Sequence, residues 1–302
     1  MSHIRAAARK NGLIARAVHG LDRIRNLTTI NERRVLGAAD HLSDFLQQSP
    51  FLSSRQSELT IDHTGTWLRV DAGSVFLLNH ESWGLLTAPF EELERQEIIR
   101  GAAQSSVVFD VGANFGFHSV AVARAYPQLQ VHAFEPVPGT ADLLAANIAR
   151  NGCRQVKVVR AAVSNFRGEM LITTEFTTGN YIASSERGFR SRTVSVPSVR
   201  LDDYWRGAGR PQVGFMKVDV EGAEWLVLDG ARDFLRESRP TLLLELWDEW
   251  LQRFGKNRGD CIGLLQRCGY HRGRPVGAIE QWQSLDSFAF TAATNYVFEG
   301  SS

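Results

Sequence analysis

Short apolar runs separated by glycine, proline and charge recur along this chain, and several of them end in an acid. Val107 to Val111 (V-V-F-D-V) reads as a fully buried parallel strand, because the run is short, β-branched and closed by glycine. Phe117 to Tyr126 then gives an apolar, alanine-rich helical pattern. The alternation continues: Val131 to Pro136 predicts a second strand, Gly139 to Asn151 a helix and Val156 to Ser164 a third strand. Gly168 to Glu175 and Val194 to Leu201 predict strands of an antiparallel excursion around a polar loop over residues 176–192. Asp202 and Asp203 predict the start of a short helix with aspartate as its N-cap. Val213 to Glu224 predicts the fourth core strand, Pro240 to Leu246 the fifth, Cys261 to Cys268 a helix and Asn295 to Phe298 a final strand. Strands alternating with helices predict an α/β fold on an open sheet.

Ahead of this core, residues 59–87 read as a hairpin, with Trp67 to Val70 and Val75 to Leu78 flanking a glycine-containing loop. Phe90 to Arg100 reads as a helix. Before Arg34 the chain is basic, carrying Arg5, Arg9, Lys10, Arg16, Arg23, Arg25, Arg33 and Arg34 against Asp22 and Glu32, with apolar residues at near-helical spacing. Two readings stand for that segment: a helix packed on the domain or a partner subunit, or a face in peripheral contact with an anionic membrane. The division expected is a basic helical extension over 1–58 and one domain over 59–302, with a preamble over 59–100.

Composition narrows the partners. Lys and Arg (34) nearly balance Asp and Glu (33), so no global charge points to nucleic acid. Cys153, Cys261 and Cys268 are an odd set without metal-ligand spacing, which fits reduced packing thiols. With no membrane-length apolar run and no signal-peptide core, the expectation is a soluble, cytoplasmic protein.

The turn after the first core strand, D-V-G-A-N-F-G-F-H from Asp110 to His118, joins a strand to a helix through two glycines, where open α/β sheets bind adenosine-containing ligands. It departs from G-x-G-x-x-G, since Asn114 and Phe117 stand where the second and third glycines belong. The second glycine of that motif lets the backbone approach a pyrophosphate, so its replacement argues against NAD or FAD. S-adenosylmethionine, which carries adenosine without phosphate, fits better. Glu135 ends the second strand, where a carboxylate can accept both ribose hydroxyls.

Asp219, Glu221 and Glu224 cluster where the fourth strand should emerge from the sheet and Glu245 sits near the end of the fifth, so the strand ends gather acids around one crevice. Such acids suit a cationic sulfonium ligand. They can also take a proton from a hydroxyl, and Asp219, Glu221, Glu245 and His118 are the candidates for that role. Lys217 reads as a charge that balances them. A metal-assisted variant, with Asp219 and Glu245 holding a divalent cation, is possible without being predicted. So is an inactive binding module docked to a membrane or partner through the basic extension. Trp247 and Trp250 fit packing as readily as a substrate wall.

Taken together, V-F-D-V-G-A-N-F-G, F-E-P at Phe134 to Pro136, A-A-V-S at Ala161 to Ser164, L-D-D at Leu201 to Asp203 and K-V-D-V-E-G-A-E at Lys217 to Glu224 resemble the FkbM family of S-adenosylmethionine-dependent methyltransferases. The likeness runs from about residue 90 to residue 298. It implies a class I methyltransferase fold, Rossmann-like and doubly wound, with seven strands of which the last is antiparallel. It also implies methyl transfer to a hydroxyl of a sugar, glycan or polyketide-like product. By this resemblance Asp110, Gly112, Asn114 and Gly116 serve the methionine moiety and the turn, and Glu135 the ribose. Ala162 and Val163 would lie beside the adenine, with Asp219 and Glu221 at the reaction centre.

Overall fold

A computed structural model describes residues 58–62, 65–70, 74–77, 91–173 and 193–300. The expected basic extension, apart from Glu58, and the expected loop over 176–192 lie outside the described residues. The chain falls into two compact units, Met1–Phe90 and Glu91–Ser302.

In the first unit β1 (Glu58–Asp62), β2 (Gly65–Arg69) and β3 (Val75–Leu77) form an antiparallel sheet in that order. The foreseen hairpin is β2–β3, with Trp67 opposite Leu77 and the Val70 N–H donating to the Ser74 carbonyl at 3.0 Å. β1 adds a strand that had no signal of its own.

The second unit opens with α1 (Glu92–Ala102), followed by β4 (Val107–Val111), α2 (Phe117–Ala125), β5 (Gln130–Phe134), α3 (Pro138–Arg150) and β6 (Val156–Val159). After an excursion come β10 (Val213–Val218), α5 (Glu224–Asp229), α6 (Arg232–Ser238), β11 (Thr241–Glu245), α7 (Asp248–Leu251), α8 (Arg258–Arg267), β12 (Tyr270–Pro275), β13 (Gln283–Ser284) and β14 (Asn295–Gly300). The sheet order is β13-β12-β14-β11-β10-β4-β5-β6. β6, β5, β4, β10 and β11 run parallel, and β14 is antiparallel to both β11 and β12. The last strand is antiparallel, as the resemblance implies. The count differs: the two-residue β13 pairs with β12 and makes eight strands where seven were expected.

Alternation along each strand decides which face a residue serves. Phe109 and Val111, Met216 and Val218, Leu242 and Leu244, and Tyr296 and Phe298 join one core with residues of α5, α6 and α8. The alternate residues face the other side, where α1 packs so closely that a Cβ on Gly101 would fall 2.2 Å from the Phe215 ring. Asp110 and Lys217 belong to this second face. Layers on both sides of the sheet make it doubly wound.

Three expectations need correction. The run Val156 to Ser164 is two strands, because the Ala161 N–H donates to the Val159 carbonyl at 3.0 Å and this tight turn sends the chain out of the main sheet. β7 (Ala162–Ser164) then pairs with β9 (Thr193–Arg200), which also pairs with β8 (Gly168–Thr173), in a separate three-stranded sheet. Asp202 is not the N-cap of its own helix, α4 (Leu201–Gly207), which starts from Arg200 without a side-chain cap. Its carboxylate instead accepts the N–H groups of Asp233 and Phe234 at 3.0 and 2.9 Å, capping the first turn of α6. Finally, the fourth core strand stops at Val218, and residues 219–223 turn into α5.

Candidate functional site

β4 ends at the glycine turn, and the turn fits because three of its residues are left-handed. Gly112, Asn114 and Gly116 have φ of 83°, 51° and 90°. At Gly112 the requirement is also one of space, since a Cβ would lie 1.9 Å from the Asp219 carbonyl oxygen. The Gly112 and Ala113 N–H groups both donate to the Phe134 carbonyl, at 3.0 and 2.9 Å. From behind, Asn147 of α3, fully buried, donates its Nδ2 to the Phe115 carbonyl at 2.7 Å. Nothing in the sequence marked Asn147, because its partner is a main-chain carbonyl on a distant turn.

This scaffold presents a set of acceptors. Glu135, buried, takes the N–H of Asn114 on Oε2 at 3.0 Å and that of Val137 on Oε1 at 2.9 Å. Asp110 is buried too; its Oδ2 accepts from Ser119 Oγ of α2 at 2.6 Å, while Oδ1 has no hydrogen-bond partner among the described residues. Asn114 Oδ1 is buried and equally unpartnered among them. Orphaned buried acceptors are rare in folded proteins and point to a donor supplied from elsewhere.

Ala162 and Val163 come shortly after Val159, whose carbonyl accepts the Glu135 N–H at 3.0 Å. Val163 joins the main core and Ala162 a small cluster with Met170, Ile172 and Val196.

The second half of the site begins where β10 ends, with the Asp219 N–H donating to the Val111 carbonyl at 3.0 Å. Lys217, almost wholly buried, places Nζ 2.9 Å from Asp219 Oδ2, while the Asp219 side chain keeps 23 % of its exposure. Burial works against the Lys217 ammonium, but the carboxylates of Asp219, Asp110 and Glu91 outweigh it and hold the amine above its ordinary range. Burial likewise opposes the charge on Asp219. Lys217 and a hydrogen bond from Glu245 prevail and hold its carboxyl below the ordinary value. Glu245 is pushed the other way, first by burial and then by the charges of Asp219, Glu221 and Glu224, which favours the protonated form as donor in its hydrogen bond with Asp219. Of the acids expected to take a proton, Glu245 is therefore the poorest suited.

His118, on α2, is buried, with Nε2 2.6 Å from Glu91 Oε2 and Nδ1 without a hydrogen-bond partner among the described residues. Glu91 and its neighbour Glu94 were not foreseen as site residues. They precede and begin α1, where acids in a first turn look like helix-end chemistry. Glu94 accepts from Asn295 Nδ2 at 3.0 Å, and burial, chiefly, raises its carboxyl. Trp247 and Trp250 stack with centroids 5.3 Å apart, which fits packing. Among the described residues no group of three or more His, Cys, Asp or Glu side chains is arranged to hold a metal. Asp219 of the Asp219–Glu245 pair considered for a cation is paired with the Lys217 ammonium at 2.9 Å.

The model of the methyltransferase FkbM domain matches residues 110–272, more than half of the 302-residue chain. The chain belongs to the FkbM methyltransferase family. The matched FkbM region contains every site residue predicted from the sequence but stops short of β14, and Glu91 and Glu94 lie ahead of it. Methyltransferase sdnD of Sordaria araneosa is 30% identical over 171 residues, covering 47% of this chain and 66% of that protein. The 31-O-demethyl-FK506 methyltransferase FkbM of Streptomyces tacrolimicus is 30% identical over 156 residues, covering 42% and 60%. The hexuronic acid methyltransferase AglP of Haloferax volcanii is 28% identical over 158 residues, covering 52% and 62%. The chain thus spans somewhat less than two thirds of the length of these FkbM relatives. The crystal structure of methyltransferase FkbM from Methylobacillus flagellatus KT overlays with a TM-score of 0.41 at 16% identity, covering 74% of this chain and 56% of that one. No helix among the described residues is long and apolar enough to cross a membrane.

Proposed function

We propose that this chain transfers a methyl group from S-adenosylmethionine to a hydroxyl oxygen of a sugar, glycan or polyketide-like acceptor. The observation that carries the reading is the abutment of Gly112 against the Asp219 carbonyl, which fuses the acceptor-lined turn and the acid cluster into one site. The residues present fit the cofactor. Asp110 Oδ1 and Asn114 Oδ1 are buried acceptors suited to the ammonium of a methionine moiety, and Glu135 is the strand-end carboxylate that would serve the ribose. The absence of side chains at Gly112 and Gly116 lets the Asp219 carbonyl and the Leu144 side chain close on the turn and hold its shape. Ala162 and Val163, both packed into cores, would meet an adenine through their main chain.

When bound, S-adenosylmethionine supplies a methyl carbon on a positively charged sulfur. The chain's own work is alignment and charge. Asp219, held ionised by Lys217 and partly exposed, is the carboxylate best placed to receive the hydroxyl proton of an acceptor. Glu245 steadies it as a hydrogen-bond donor. Glu221 sits on the same turn, and His118 faces it from α2, oriented by Glu91. Relatives named for a hexuronic acid and for 31-O-demethyl-FK506 support an oxygen acceptor of the sugar or natural-product class.

Calorimetric titration with S-adenosylhomocysteine, repeated with Glu135→Ala, tests the cofactor half. Micromolar binding that disappears in the variant is the expected result. A screen of hydroxylated acceptors with methyl-labelled cofactor tests the other half, and well-folded protein that fails to bind S-adenosylhomocysteine would sink the reading.

A further inference from the structure

Between β10 and α5 the chain passes through two consecutive left-handed residues, Glu221 at φ 59° and Gly222 at φ 103°. Gly222 suits its place, since a Cβ there would lie 2.7 Å from the Trp250 carbonyl oxygen. Glu221 has no such freedom. A side chain with a Cβ disfavours this region of backbone space, so surrounding bonds must hold it there.

Two such bonds come from one oxygen. Glu224 Oε1 accepts the Val220 N–H at 3.0 Å and the Gly222 N–H at 3.2 Å, the two amides on either side of Glu221. Glu224 is almost fully buried, and no ion pair reaches it among the described residues. The groups that face it are Asp219 from the end of β10, Glu245 from β11 and Cys261 from α8, none of them cationic. A buried acid without a cation is costly in such company, so its two amide bonds are what justify it.

We propose that Glu224 is a positioning residue that clamps the Asp219–Gly222 turn and so keeps the Asp219 carbonyl seated against Gly112. The proposal rests on the functional reading above, because that contact joins the cofactor turn to the acid cluster. Burial, chiefly, lifts the Glu224 carboxyl to about 7, against the pull of the backbone N–H groups. The clamp is therefore tightest when Glu224 is ionised, above that pH, and slackens below it, since a carboxylate accepts more strongly than a carboxylic acid.

The test uses the full chain labelled with ¹⁵N, as wild type, Glu224→Gln and Glu224→Ala. In the wild type the Val220 and Gly222 amide protons should move upfield together as pH falls through about 7. Glu224→Gln, which keeps an acceptor oxygen, should hold both amides protected from exchange without the pH step. Glu224→Ala should expose both and weaken S-adenosylhomocysteine binding about tenfold, against about twofold for the glutamine variant. Protected amides in Glu224→Ala, or a glutamine variant that behaves like alanine, would overturn the clamp. If Glu224→Ala does not fold, the wild-type titration and the glutamine variant still decide it. Wild-type protein that shows the amide titration but binds no S-adenosylhomocysteine refutes the cofactor reading and leaves the clamp standing.

Discussion

Asp110 and Lys217 occupy the same register on adjacent parallel strands, so the acid ahead of the glycine turn and the cation paired with Asp219 stand side by side on one face of the sheet. One buried ammonium thus answers Asp219 directly and Asp110 at longer range. Lys217→Met should strip the half-buried Asp219 of its cation and the buried Asp110 of a nearby one, and destabilise the fold by roughly 2–4 kcal/mol at neutral pH. Asp219 ionises below its ordinary value, so its contribution is present above the unfolded carboxyl range and lost as pH falls through the folded one. The deficit of Lys217→Met should accordingly shrink on acidification, which denaturant unfolding at pH 7 and pH 4 will measure.

Glu245→Gln should be the mildest change in the acid cluster. The surroundings of Glu245 raise its carboxyl and favour the protonated donor, and an amide can donate to Asp219 in its place. The raised carboxyl of the wild type is favourable below the unfolded value and is lost as pH rises through the folded one. Thermal unfolding from pH 6 to pH 9 should show the variant gaining on the wild type with pH. A variant that instead unfolds readily at pH 6 would mean that Glu245 is ionised there.

Gly112→Ala should abolish S-adenosylhomocysteine binding. The added methyl would meet a main-chain carbonyl, which cannot swing aside, at a φ that alanine disfavours. The combined penalty is on the order of 2–5 kcal/mol. Calorimetry and a melting curve on the same sample separate lost binding from lost fold.

Glu97 of α1 and Arg274 of β12 form a buried, two-pronged ion pair, one arm of it at 3.1 Å. Glu97→Gln should cost about 3–5 kcal/mol because it strands the guanidinium, whereas an apolar replacement of both partners should cost much less. Equilibrium unfolding of the single and double variants gives the coupling directly.

What the sequence disclosed follows the same physics. V-V-F-D-V, V-G-F-M-K-V and T-L-L-L-E are strands covered on both faces, so apolarity alone announced them. Y-H-R-G-R-P, strand β12, escaped notice because its charges are answered by distant groups, Arg272 by Glu299 and Arg274 by Glu97, and its glycine makes room for the Phe298 ring. Glycines and strand-end acids were legible because backbone freedom and topology dictate them locally. Glu91, Glu94, Ser119 and Asn147 were not, since each has its role only through a partner that folding brings near. Asp202 shows the limit most simply: the residue type announced a cap, and only the fold says which helix wears it.

The position of β14 sets the timetable of assembly. It is the last strand described, yet it enters between β11 and β12. Until it arrives, both neighbours expose unpaired edges, and a nascent chain halted before Asn295 carries two open templates for pairing with other molecules. Ribosome stalling in that window, and proteolytic loss of the strand, should therefore yield aggregates or degradation and no trimmed enzyme, which makes Asn295–Gly300 the keystone of biogenesis.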